Sequence, residues 1–502
     1  MKICFFLQRR WALIGHAMAT HLNKNFADTE FCGLVSMRPS LKFLEEQKDV
    51  QYTSLLLEDD IHKKLFSEEI DYEYLRWLEK EYGTPNLWPH LYVDRVIMNG
   101  QLAREYPYNK ALLSHEDMLR RIQVSAKEII KFLNREKPDV VTISVIGSVA
   151  SSLLYTIAQK RGIQTITIEV ARIKNRMAFS ETYKGFSWVT KRFEEIKDGR
   201  KSPEYEQAIK FLAEFRDRPA AYRKEADPSF NKQTARRANL YFLRPKHLLF
   251  STAWHFKTLL KDIKKFKNAD YTDIFIWWGT WDKVKRKTRG LVGFADLYTK
   301  SDEKERYAYY PLHYDPEMAT LLYAPYYTDQ AQVIKAVARS LPLDMKLYVK
   351  EHPAMVGYRT RKFYKEILGI PNVKLIAPTE SGLELIKHAA LTVTITGSGG
   401  WESILLKKPV ITLGDVFYND LSLVKRCHGY EELPYLVKTQ LEDWKHDEQE
   451  LISYVSALLE DSLPVDYMDL WVYADSKHDV VKDSGLEDFA TLLGEKIGLA
   501  KK

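Results

Sequence analysis

Two short stretches hold the residue types needed to grip an anionic ligand. Lys350-Glu351-His352-Pro353 closes an apolar run at 345–349, and Gly397-Ser398-Gly399-Gly400 breaks a β-branched run at 391–396 that ends in Thr396. A glycine loop opening a helix turns backbone N–H groups toward a ligand, and the helix dipole adds positive potential there. Glycine lets the ligand approach the backbone closely. Glu402, in the first turn of the expected helix, can accept hydrogen bonds from sugar hydroxyls. The loop is neither the dinucleotide fingerprint nor the ATP P-loop, since no Gly-Lys-Ser/Thr follows the glycines. Such loops also occur in α/β proteins without a ligand, so the partner stretch matters. In an open parallel sheet, ligands sit beyond the carboxyl ends of the strands. Both stretches therefore belong on one rim.

A second group lies in the first half. The run 164–170 contains Glu169 near its end, with Arg172, Lys174 and Arg176 close behind. A carboxylate there, beside several cations, is an acid–base or sugar-binding candidate, and equally a structural ion pair. Glu169 is the first catalytic candidate and His16 the second. Arg172 and Arg176 are candidates for holding an acceptor or a phosphate. Glu58-Asp59-Asp60 is the only compact acidic triplet in 41–82. It could hold a metal, but its polar surroundings predict solvated carboxylates, and no metal is expected.

The elements that must position these groups alternate. Strands are expected at 2–7, 31–36, 140–146 and 164–170, with helices at 11–22, 114–135 and 149–159. The span 41–82 reads as mostly helical. The uncharged stretch 140–158 divides into a strand, a Gly-Ser turn and a helix, which is a soluble unit rather than a membrane span. Strands recur at 308–312, 345–349, 373–376, 391–396 and 409–413. The pattern predicts an α/β protein of two doubly wound domains. The expected boundaries are 1–265, with a helical connector, then 266–470. Residues 471–502 form a closing helix that packs back on the first domain.

The chain has 502 residues, 45% of them hydrophobic and 28% charged, which is globular. A net charge of +7 suits anionic substrates or a membrane surface. Between Lys232 and Lys267 the only acid is Asp262, amid many cations and aromatic residues. That stretch reads as a connector between domains, or as an amphipathic segment lying on an anionic membrane. The cluster 283–289 (KVKRKTR) reads as a solvated basic loop. No nucleic-acid module accompanies the charge, so nucleic acid is not an expected partner. Three cysteines without metal-ligand spacing point to a reducing compartment, hence the cytoplasm.

PLHYDPE (311–317), KEHP (350–353) and TGSGGWESILLKKPVITLGDVFY (396–418), in this order and spacing, resemble the capsule polysaccharide biosynthesis family. That family includes bacterial Kdo transferases and is more distantly similar to sialyltransferases with an HP motif. The resemblance covers 307–418 well and the first 300 residues only in layout. It implies a GT-B fold, with two Rossmann-like domains facing a cleft. It implies a glycosyltransferase moving a sugar, Kdo or a related acidic sugar, from a CMP-linked donor to a surface or capsular glycan or lipid-linked acceptor. The nucleotide sugar would be a substrate, with no cofactor. Location would be cytoplasmic, with a peripheral contact on the inner membrane. Lys350, His352, Pro353, Thr396, Gly397, Ser398, Gly399, Gly400 and Glu402 would form the donor site, His352 and Ser398 at the phosphate and Glu402 at the ribose. Gly-Ser-Gly stands where relatives often carry paired hydroxyls. Other GT-B activities, such as polyol-phosphate transfer or UDP-sugar 2-epimerisation, and a non-catalytic role in glycan assembly stay open.

Overall fold

A computed structural model describes residues 1–103, 106–107, 110–220, 245–465 and 484–502. In chain order the strands are β1 (Lys2–Leu7), β2 (Glu30–Val35), β3 (Tyr52–Leu57), β4 (Gln101–Ala103), β5 (Tyr106–Pro107), β6 (Val140–Ile143), β7 (Gln164–Val170) and β8 (Arg176–Ser180). There follow β9 (Tyr307–Pro311), β10 (Lys346–Lys350), β11 (Val373–Ile376), β12 (Leu391–Thr394), β13 (Val410–Thr412), β14 (Val424–Arg426) and β15 (Ser462–Pro464).

Apolar residues on both faces of a strand require cover on both sides, which a parallel sheet flanked by helices provides. β1 shows this at single-residue level. Ile3, Phe5 and Leu7 enter one core, Cys4 and Phe6 the opposite one, as the two-residue period of a strand dictates. The first sheet runs β15-β8-β7-β6-β1-β2-β3, and β8 alone runs against the others, antiparallel to both β7 and β15. The second runs β11-β10-β9-β12-β13-β14, all parallel. The chain is thus α/β with two doubly wound sheets facing a cleft, a GT-B-like fold.

Each sheet has a point where the strand order reverses. In the first it lies between β1 and β6; in the second, between β9 and β12. Crevices open at the carboxyl ends of strands at such points.

The chain returns to the first sheet near its end. The helix Glu448–Glu460 packs on Ser187–Lys197 and Tyr205–Asp217, β15 pairs with β8, and the helix Ser484–Lys496 packs on Trp11–Asn25. The crossing back therefore precedes residue 462 rather than falling at the expected 471. Part of that expected closing segment lies outside the described residues.

Several local readings are corrected. The span 41–82 contains an edge strand, β3, as well as helices. The acidic triplet is not solvated. Glu58 is fully buried against Arg121 (3.1 Å), and Asp59 accepts from Arg38 N (2.9 Å) and Thr272 Oγ1 (3.0 Å). Only Asp60 is exposed. The cluster 283–289 lies inside a helix, Ile276–Val292, not a loop. Among the described residues no helix is long and apolar enough to cross a membrane.

Candidate functional site

The two reversal points face one cleft of about 580 Å³, within the usual size of small-molecule sites, roughly 300–1,000 Å³. His313, His352, Thr396, Gly397, Ser398 and Gly399 form its wall on the second sheet. Glu169 and Arg172 line it from the first. The two loops singled out in the sequence thus meet in one groove.

The glycine loop is held from beneath. Thr394 Oγ1 accepts from Gly397 N (3.0 Å), and Tyr418 OH donates to Gly397 O (2.6 Å). The helix Ser398–Leu405 begins three residues earlier than the sequence suggested. Gly397 is its N-cap, and no side chain caps it. The glycines are required by close approach. A Cβ on Gly397 would meet Thr394 Oγ1 at 2.7 Å, and one on Gly400 would meet Tyr418 OH at 2.4 Å. Gly400 is therefore a packing residue behind the loop and does not line the cleft.

His352 starts a short turn after β10, and its Nδ1 accepts from Ala354 N (3.2 Å). In a neutral ring this leaves the hydrogen on Nε2. Tyr314 packs edge-on to the ring at 5.5 Å. Lys350 and Pro353 stand behind His352 rather than in the cleft lining. Lys350 is buried, and burial lowers its ammonium pKa to about 8. Glu402 also lies behind the lining. Burial raises its carboxyl pKa to about 7, against the pull of Arg172 and Lys350.

His313 follows β9, on the far side of the reversal point from the glycine loop, and had not been singled out in the sequence. It is buried. Its Nε2 accepts from Thr396 N (3.0 Å), so Nδ1 carries the hydrogen. Burial, with Arg359 next, lowers its pKa to about 3 and keeps the ring neutral. Nδ1 is buried, toward the Pro311 backbone. Arg359 also went unnoticed. It donates to His313 O (2.7 Å) and pairs with the fully buried Glu351, which accepts from His352 N (2.6 Å). One buried ion pair thus fixes His313 and His352 relative to each other. The motif PLHYDPE carried the signal for His313. Arg359 showed none, because its partners are tertiary.

On the opposite wall, Tyr323 OH donates to Glu169 Oε1 (3.2 Å) across the cleft. Burial raises the Glu169 pKa to about 7 despite that bond and the Arg172 charge. Arg172 follows in a left-handed backbone conformation (φ 55°). Two candidates are placed elsewhere. His16 is buried in the helix Trp11–Asn25, its Nδ1 3.2 Å from Tyr52 OH and its ring against Phe43, and it does not reach the cleft. Arg176 is no anion holder. Its guanidinium donates to Leu459 O (2.8 Å), Ser462 Oγ (2.9 Å) and Ser462 O, clamping β15 to β8.

Residues 284–431 match the family described as Capsule polysaccharide biosynthesis protein. They include all three motifs. Over this segment the chain is similar to that family. A curated relative, Protein FixF of Sinorhizobium fredii (strain NBRC 101917 / NGR234), is 32% identical over 136 residues, which are 26% of this chain and 31% of that protein. The chain thus matches about a third of the length of that relative. Among solved structures, the beta Kdo 2,7 transferase of Thermosulfurimonas dismutans KpsC is 12% identical, covering 78% of this chain and 94% of that one, at a TM-score of 0.36. The beta Kdo 2,4 transferase of the same KpsC is 15% identical, covering 64% and 80%, at 0.34. UDP-GlcNAc 2-epimerase from Methanocaldococcus jannaschii is 15% identical, covering 92% and 98%, at 0.24. These scores describe a loose likeness.

Proposed function

We propose that this chain is a glycosyltransferase. It moves a sugar from a nucleotide-activated donor to a surface or capsular polysaccharide acceptor. The observation that carries this reading is the wall between β9 and β12. An uncapped helix N-terminus at Ser398, the Gly397–Gly399 backbone and the His352 ring converge there on one groove. Such donors suit a phosphate and stabilise the charge that a departing nucleotide carries away. Glu169, on the facing wall with a pKa near neutrality, is the carboxylate that takes the proton of the acceptor hydroxyl. The likeness of residues 284–431 to the capsule polysaccharide biosynthesis family favours a CMP-linked donor of the Kdo type.

Incubating the protein with CMP-, UDP- and CDP-linked sugars and following release of nucleotide by mass spectrometry tests this. The expected result is nucleotide release from one class, CMP first. Conversion of a UDP-sugar to its epimer, or no turnover of any donor, would replace the reading.

The acceptor's location is part of the same proposal. In the helix Pro245–Lys265 and the helix Ile276–Val292, Trp254, Phe256, Ile263, Trp281, Leu291 and Val292 are exposed. The acids Asp262, Asp270 and Asp282 are buried, while Lys257, Lys261, Lys264, Lys265, Lys283 and Lys287 are exposed. The outer face is therefore apolar and cationic, as a peripheral contact with an anionic bilayer requires. The preceding stretch, 221–244, lies outside the described residues. Sedimentation with phosphatidylglycerol vesicles should carry the protein down, and phosphatidylcholine vesicles should not. Trp254→Glu with Phe256→Glu should weaken binding by about tenfold or more, since each large apolar side chain contributes roughly 1.5–3 kcal/mol. Equal partitioning of wild type and variant would remove the membrane contact.

A further inference from the structure

The reversal point of the first sheet, between β1 and β6, also opens into the cleft, and the transfer chemistry assigned above makes no use of it. Arg9 lies just beyond β1 and Ser144 just beyond β6, and both line the cleft. Arg9 remains in contact with solvent there. Its electrostatic neighbours are Arg95 and Tyr271, and no carboxylate pairs with its guanidinium among the described residues. Arg95 is different. Its charge is offset by Glu317 and Asp94, and it sits 3.5 Å from Pro316 O. The Ser144 hydroxyl is buried without a hydrogen-bond partner among the described residues.

The backbone adds an independent sign. Arg9 adopts a left-handed conformation (φ 47°), as Arg172 does (φ 55°). Among the described residues, six other than glycine have positive φ, and of these only Arg9 and Arg172 line the cleft. Such a conformation is unfavourable in a residue other than glycine, and is retained where the surroundings impose it, often at ligand sites. A guanidinium crowded by a second guanidinium, beside an unpartnered hydroxyl, complements an anion with two or more acceptor oxygens.

We propose that Arg9 and Ser144 bind an anionic group of the acceptor, a carboxylate or a phosphate. This rests on the glycosyltransferase reading, with the nucleotide on the wall between β9 and β12 and the acceptor opposite. It predicts that the acceptor glycan is itself acidic where it enters the site. Glu169, at the end of β7 on the same wall, then faces a hydroxyl of a residue held by its charge.

The test uses the full chain saturated with CMP and ligand-observed NMR titrations of three probes. These are methyl β-D-glucuronide, sn-glycerol 1-phosphate and the neutral methyl β-D-glucoside. At least one anionic probe should bind, and the neutral one should not. The tighter of the two anions distinguishes a sugar acid from a phosphate. Arg9→Gln should weaken the bound anion by about tenfold or more, and Arg9→Lys should restore part of it. Ser144→Ala should cost roughly threefold to tenfold. Arg9→Asn, whose side chain tolerates the left-handed backbone, repeats the loss if Arg9→Gln folds poorly. CMP affinity, measured in the same samples, should stay within twofold. The assignment is overturned if no anionic probe binds, if the neutral probe binds as well, if Arg9→Gln leaves the anion affinity unchanged, or if CMP affinity falls in parallel. Failure of wild type to bind any nucleotide would instead overturn the glycosyltransferase reading itself.

Discussion

Glu169→Gln is expected to stop transfer while leaving the nucleotide bound. The carboxylate stands at the carboxyl end of β7, on the wall opposite the glycine loop, and its Oε1 accepts from Tyr323 OH. Removing a positioned general base typically costs roughly 10²–10⁴ in rate. The amide preserves shape and can still accept from Tyr323, so the nucleotide affinity of the facing wall should not move. The pH profile gives the sign. Burial lifts this carboxyl to about 7, and a base works only when deprotonated. Turnover in the wild type should therefore rise with pH through about 7 and level off above it. In Glu169→Gln that limb should vanish with the rate. A variant that keeps wild-type turnover, or a profile that falls across the same window, would move the base elsewhere.

His313→Ala should damage both the donor site and the fold around it. The imidazole accepts from Thr396 N and is 3.4 Å from Thr394 Oγ1, and Thr394 in turn accepts from Gly397 N. Removing it leaves the Thr396 N–H buried without its acceptor, at a cost of about 1–3 kcal/mol. It also loosens the loop that presents the Ser398 N-terminus to the cleft. Nucleotide affinity should fall by roughly tenfold as the loop amides lose their alignment. His313→Gln can accept from Thr396, and should recover most of the stability and part of the affinity. Calorimetric titration beside thermal melting separates the two effects. Full nucleotide affinity in a folded His313→Ala protein would mean that the residue does not set the loop for a phosphate.

The sequence revealed what depends on local pattern. Lys2–Leu7 was legible as a strand because its apolar residues run on without a break, as in a sheet covered on both faces, and Gln164–Val170 because its residues are largely β-branched. The glycine loop was legible because Gly397-Ser398-Gly399-Gly400 interrupts a β-branched run just where a helix follows. Glu58 was misread because nothing nearby in sequence shows that Arg121 meets it inside the core. The same holds for Arg176, which stands with Lys174 in a run of cations but spends its donors on the carbonyls of a segment nearly three hundred residues later. His16 suggested chemistry only by its type; its surroundings are aromatic and closed. His313 was in view within a quoted motif, but its bond to Thr396 is set by the pairing of β9 with β12, which no local pattern encodes.

The account stands on a nucleotide phosphate held between His352 and the Ser398 loop. Isothermal titration of CMP, UDP and CDP into the wild type and into His352→Ala measures this directly. One nucleotide, CMP by preference, should bind the wild type, and His352→Ala should weaken it by about tenfold or more while remaining folded. Equal affinity in the two proteins, or no binding of any of the three nucleotides to the wild type, would contradict it.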